Sequence, residues 1–202
     1  MIRYDLSIIE SWIEPGSRVL GLGCGDGELL YALKTEKNVE ERGIEQSEEG
    51  VSACIGKGLS VIQGDFNTEL SDYPDQCFDY VILSQTLQQV YEPAGLIRSM
   101  LRIGKKAVVS FPNFGHYRIR LQLLLSGYVP VTEQLPYQWY DTPNIRVLTI
   151  RDFERFSKDV GFRILKEVAI NTTDRDMHGS IVRFLPNVRA TYGLFLIGKE
   201  RG

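Results

Sequence analysis

Histidine and cysteine are scarce in this chain, with two of the first and three of the second among 202 residues. Cys24, Cys54 and Cys77 are odd in number and lack CxxC spacing, which argues against both a disulfide framework and a zinc site. They read as reduced thiols. His116 and His178 stand apart in sequence, and no Ser-His-Asp or Cys-His signature surrounds either. Positive charge is not in excess. The 23 Lys and Arg against 26 Asp and Glu leave a net charge of -3, so there is no electrostatic case for nucleic acid as the main partner. No apolar run reaches membrane-spanning length, and Asp5, Glu10 and Glu14 interrupt the apolar region that a signal peptide needs. The expectation is a soluble, cytoplasmic protein with no membrane partner.

What the chain does have is 43% hydrophobic residues and a length that suits one substantial core and is short for two. One domain over residues 1–202 is expected, and no internal repeat is visible. Its most informative stretch is Arg18 to Leu30, RVLGLGCGDGELL. A short apolar run, Arg18 to Leu22, feeds into Gly21, Gly23, Gly25 and Gly27 and then into a helix-favouring segment from Glu28. Strand, glycine loop and helix open a nucleotide-binding βαβ unit. The spacing is not GxGxxG, so a dinucleotide fingerprint is not met. Instead GxGxG runs from Gly23 to Gly27, with Asp26 and Glu28 where a phosphate would meet the helix start. Acids there disfavour a phosphate and suit a phosphate-free ligand with a cationic centre and an amino-acid tail.

Further strands are read at Val39–Ile44, Gly58–Gln63, Phe78–Leu83 and Lys105–Phe111, alternating with helices. Glu45 ends the second of them, about twenty residues past the glycine loop, where such units place a carboxylate on a ribose diol. Asp5 is a plausible N-cap for a first helix, Ser47 starts another, and Pro93 suits the first turn of a third. After Pro112 the alternation stops. Phe114 to Leu125 reads as a helix with Ile119, Leu123 and Leu124 inward. Pro130 to Thr149 is rich in Pro, Tyr and Trp, without helical period, and reads as an ordered loop over the carboxyl edge of the sheet, either a lid or a contact surface. The aromatic-rich insertion thus covers about 112–150. Thr149 and Asp152 form a capping box for Ile150 to Val160, with Gly161 as C-cap. Strands at Phe162–Ile170 and Thr191–Lys199 close the chain, with a polar segment holding Asp174, Arg175, Asp176 and His178 between them.

GCGDGELL near the start, SFPNFGHYRIR at Ser110–Arg120 and LPYQWYDTPNIR at Leu135–Arg146 carry a family resemblance. With them the chain resembles the class I S-adenosylmethionine-dependent methyltransferases and, within those, the MetW family of methionine biosynthesis proteins. The resemblance implies a doubly wound, Rossmann-like α/β fold with a seven-stranded sheet, helices on both faces and an antiparallel last strand. It implies S-adenosylmethionine or S-adenosylhomocysteine as ligand, bound at Gly23, Cys24, Gly25, Glu45, Gln46, Asp65, Phe66 and Ser84. In that family an acid in the place of Asp65 meets the adenine amino group, and an aromatic ring such as Phe66 can stack on the purine. It also implies a protein partner, the homoserine O-acyltransferase MetX.

Two departures from the family pattern bear on activity. Gly21 stands where the glycine motif usually begins with an acid that helps hold the cationic end of the ligand. Leu87, Gln88, Gln89 and Val90 occupy the segment that often holds a hydrophobic-His pair, which removes one source of a general base. No catalytic residue is identified, so an accessory role in methionine biosynthesis is expected, with active small-molecule methyl transfer as the alternative.

Overall fold

The computed structural model describes residues 2–132, 135–173 and 176–200. The strands are β1 (Arg18–Leu22), β2 (Glu40–Glu45), β3 (Val61–Gln63), β4 (Phe78–Ser84), β5 (Gly104–Pro112), β6 (Phe162–Asn171), β7 (Ser180–Ile181) and β8 (Tyr192–Lys199). They form one sheet in the order β3-β2-β1-β4-β5-β8-β6-β7. The first five run parallel, and β8 lies antiparallel between β5 and β6. Eight strands replace the expected seven, because the two-residue β7 pairs with the end of β6. A pair that short leaves no alternation to read in a polar segment.

The helices are α1 (Tyr4–Trp12), α2 (Glu28–Lys37), α3 (Glu48–Gly56), α4 (Phe66–Glu69), α5 (Pro93–Ile103), α6 (Tyr117–Ser126), α7 (Ile150–Val160) and α8 (Pro186–Arg189). Alternate residues of the central strands feed two cores. Val81, Leu83, Val109 and Phe195 pack with α5 and α7, whereas Tyr80, Ile82, Val108 and Leu194 pack with α1 and α2. Both faces of a parallel sheet are thereby covered, as its near-continuous apolar strands require. Local signals set several ends. Pro93 opens α5, Thr149 and Asp152 exchange hydrogen bonds in a capping box, and Gly161 stops α7 in the left-handed region at φ 82.

Two local readings differ in the structure. Asp5 does not cap α1; it lies in the first turn, fully buried, and Arg3 holds the cap position. The buried carboxylate instead accepts from the Arg3 guanidinium at 3.1 and 3.2 Å and from Gln85 Nε2 at 2.8 Å. The helix after β5 starts three residues later than read and buries none of its side chains. Its apolar stripe faces outward because the chain leaves the sheet at Asn113, a buried residue that pins the turn. Asn113 donates to the carbonyls of Asn187 and Ala190 and accepts from Gly115 N at 2.9 Å. Arg146 anchors its loop. Its guanidinium donates to the carbonyls of Val90 and Tyr91, while Ile145 and Arg146 donate backbone N–H groups to Gln88 O at 3.0 Å.

Asp174 and Arg175 lie outside the described residues. No helix among the described residues is long and apolar enough to cross a membrane.

Candidate functional site

Strand order reverses between β1 and β4, and open α/β sheets bind ligands in the crevice at such a point. The glycine loop fills that position. Gly23 and Gly25 adopt φ of 58° and 56°, a left-handed backbone that residues with a Cβ rarely take. The loop is fastened to β2, since Gly23 N donates to Ile44 O at 2.9 Å and Gly25 N to Glu45 Oε2 at 2.8 Å. Glu45 is buried, and its other oxygen accepts from Ser47 N and Ser47 Oγ, both at 2.9 Å. One carboxylate therefore ties the loop to the start of α3. Gly50 of α3 completes the fit, because a Cβ there would stand only 2.8 Å from the Gly25 carbonyl.

A cleft of about 190 Å³ opens beside the loop. Gly23, Cys24, Gly25 and Ser84 line it, together with Gly21. Phe66 stands beside it; a Cβ on Gly23 would lie 3.8 Å from the Phe66 ring and 3.3 Å from Thr86 Oγ1. Glu45, Gln46 and Asp65 are not among the residues that line this cleft; Glu45 lies behind the loop that it fastens. Gln46 is exposed, with its carbonyl facing Gln63 Nε2 at 3.4 Å. Asp65 is exposed and caps α4, accepting from Asn67 N at 2.9 Å and Asn67 Nδ2 at 2.7 Å.

The cleft also holds residues that the sequence did not flag. Arg3 and Gln85 line it, beside the Glu28 already singled out at the helix start, and Gln85 takes φ 54° at the end of β4. That conformation is uncommon without glycine and is typical of constrained sites. Nothing in the sequence signals it.

The charges beside the loop disfavour a phosphate ligand. At the start of α2, Asp26 pairs with Lys57 at 2.8 Å, and the Lys57 hydrogen bond holds its carboxyl below the usual range. Glu28 accepts from Arg3 N at 3.2 Å. Two acids at this helix start disfavour phosphate. The space next to Gly25 is open, with no atom within 4 Å of where a Cβ would sit, so the loop backbone is accessible to a flat or extended ligand. The thiols here are packing groups. Cys24 and Cys54 stand 3.9 Å apart, and burial pushes both upward, away from reactive thiolate.

His116 is committed to structure. It caps α6, accepting from Arg118 N at 3.4 Å, and is nearly buried. Burial first, and the Arg118 charge second, depress its pKa below 6.5, against a hydrogen bond with the Arg189 backbone. A lowered folded value means that the unfolded chain binds this proton more readily. The contribution to stability is then complete above the unfolded value and is lost as pH falls through the folded one. Thermal melts between about pH 7 and pH 5 should show that loss. A His116→Asn variant, which keeps a capping acceptor, should lack it, and equal pH slopes in both proteins would refute the assignment.

With this geometry in place, the chain was compared with known proteins. The family model described as methionine biosynthesis protein MetW matches residues 3–197. The bifunctional methionine biosynthesis protein MetXA/MetW of Rhodopirellula baltica is 39% identical over 160 residues, covering 75% of this chain and 26% of that protein. The chain thus spans about a quarter of that relative's length. Among solved structures, a SAM-dependent methyltransferase from Archaeoglobus fulgidus superposes with a TM-score of 0.71 at 17% identity, covering 96% of this chain and 91% of that one. The cyclase SpnF superposes with a TM-score of 0.65 at 18% identity, covering 98% and 80%. These two likenesses show the fold alone. A methyltransferase and a cyclase on one frame illustrate that the fold does not choose the chemistry.

Proposed function

The chain belongs to the MetW family of methionine biosynthesis proteins, and on that premise we propose that it is an accessory partner of a homoserine O-acyltransferase with a site for S-adenosylmethionine or S-adenosylhomocysteine. The observation that carries the ligand half is the Gly23–Gly25 loop fastened by the buried Glu45 at the strand-order reversal. Gly23, Cys24, Gly25 and Ser84 would line the ligand, Glu45 would meet the ribose, and Phe66 would pack against the base. S-adenosylmethionine, when bound, supplies an electrophilic methyl group on a sulfonium. No imidazole lines this cleft, and His116 serves as a helix cap, which favours the accessory reading over methyl transfer.

Support for the partner comes from the relative that joins MetXA and MetW in one chain. The surface supports it independently. Leu124 and Leu125 of α6 are 80% and 75% exposed, and Trp139 and Tyr140 are 73% and 70% exposed. Large exposed apolar patches with Trp and Tyr are the residue pattern of binding surfaces. These aromatics do not fold inward as a lid. The proposed contact therefore centres on α6 and Pro136–Tyr140, while Arg146 holds its loop in place.

Calorimetric titration with both adenosyl compounds tests the ligand half. A saturable signal is expected, and no heat or thermal shift at about millimolar ligand would end this reading. The missing acid gives a sharper test. Gly21 has no left-handed backbone, and a Cβ there would meet Leu30 methyls at 3.2 and 3.3 Å, flexible ends that can shift. Gly21→Asp should therefore fold and, by restoring a charge-assisted contact, bind about tenfold or more tightly. Unchanged affinity in a folded variant would show that this carboxylate is not the limiting contact.

A further inference from the structure

A second cleft, of about 750 Å³, lies away from the glycine loop, between the start of α6, the end of β6 and α8. Both histidines of the chain line it, together with Arg118 and Arg189. Neither guanidinium makes an ion pair among the described residues. Arg118 Nε donates to the Tyr117 hydroxyl at 3.2 Å, which steadies the side chain and leaves its terminal nitrogens for another acceptor. Asp176 is the one described acid on the lining. Positive charge gathered there, on a chain with a net charge of -3, is not a general property of the surface.

Two independent features mark the same region. Leu185, on the rim, takes φ 50°, a left-handed conformation that is an outlier for a bulky residue and concentrates at ligand sites. An adjoining hollow of about 310 Å³ shares His116 and Arg118 and contains Thr132 Oγ1, a buried hydroxyl without a hydrogen-bond partner among the described residues. Buried polar atoms of this kind are ordinarily satisfied.

We infer that this cleft binds a small molecule bearing a carboxylate or phosphate, gripped by Arg118 and Arg189, with its apolar part against Leu185 and Val188. Guanidinium forks match such oxyanions in two-point contacts. The site is separate from the adenosyl cleft and does not depend on it.

The two histidines make the test direct, since their imidazole NMR signals are the only ones in the chain and both report this cleft. The intact protein is titrated with succinate and, separately, with inorganic phosphate, at ionic strength matched by sodium chloride. Succinate alone, or phosphate alone, shifting both imidazole signals saturably below about 10 mM would support the site and identify which oxyanion it takes. An Arg118→Gln, Arg189→Gln variant, exposed at both positions, should fold normally and bind that probe at least about tenfold more weakly. No saturable shift with either probe, shifts reproduced by sodium chloride, or unchanged binding in the double variant would each overturn the inference. Adenosyl-ligand titration of the same variant should match the wild type, so failure here is distinguishable from failure of the other cleft.

Discussion

Glu45→Ala is expected to abolish measurable binding of S-adenosylhomocysteine and to lower the melting temperature by several degrees. Two effects add. The carboxylate is the proposed ribose acceptor, and it also accepts from Gly25 N, Ser47 N and Ser47 Oγ from within the fold. Removing it takes the acceptor from a loop amide and from the N-cap residue of α3, both reachable by water, which costs about 1 to 3 kcal/mol for the hydrogen bonds lost. Binding should fall at least about a hundredfold, because both a direct contact and the loop geometry are lost. Calorimetry beside thermal melts separates the two. A stable variant with wild-type affinity would remove Glu45 from the site, and lowered stability with wild-type affinity would leave it a purely structural clamp.

The second large effect is expected on the outer face of α6. Leu124→Glu with Leu125→Glu puts two charges on side chains that touch little of their own protein, so stability should change by no more than about 0.5 kcal/mol. Association with the acyltransferase should weaken at least about a hundredfold, as for hot-spot positions in a desolvated interface. Pull-down and size-exclusion profiles of wild type and variant decide it. Unimpaired co-purification would place the contact elsewhere. A wild-type dimer that the variant dissolves would assign this face to a second copy of the chain.

The parts of the fold written in short-range terms were legible in the sequence. Strand β1, the glycine loop, the Thr149–Asp152 capping box and the Gly161 stop all follow from composition and spacing, and the structure has them. Cofactor-loop candidates Gly23, Cys24 and Gly25 meet Ser84 in one cleft for the same reason, since strand ends share an edge. Long-range contacts were not legible. Arg3 and Gln85 reach the cleft from the N-terminus and the end of β4, joined through the buried Asp5 by hydrogen bonds separated by up to eighty positions. No local pattern encodes that meeting.

The outward stripe of α6 was misread because helical periodicity shows that one face is apolar, not which object it faces. Leu123 and Leu124 satisfy the spacing of a core helix, but the turn pinned by Asn113 carries them away from the sheet. Asp65 shows how one local pattern serves two readings. An acid at a strand end can meet a ligand or cap the next helix, and here its carboxylate holds Asn67 at the start of α4.

The accessory role itself is tested by assaying the cognate homoserine O-acyltransferase with and without the wild-type chain. Co-expression should give a complex that survives purification, and acyltransferase activity should rise when the chain is present. If the wild-type chain neither binds nor activates that enzyme, the accessory reading is contradicted.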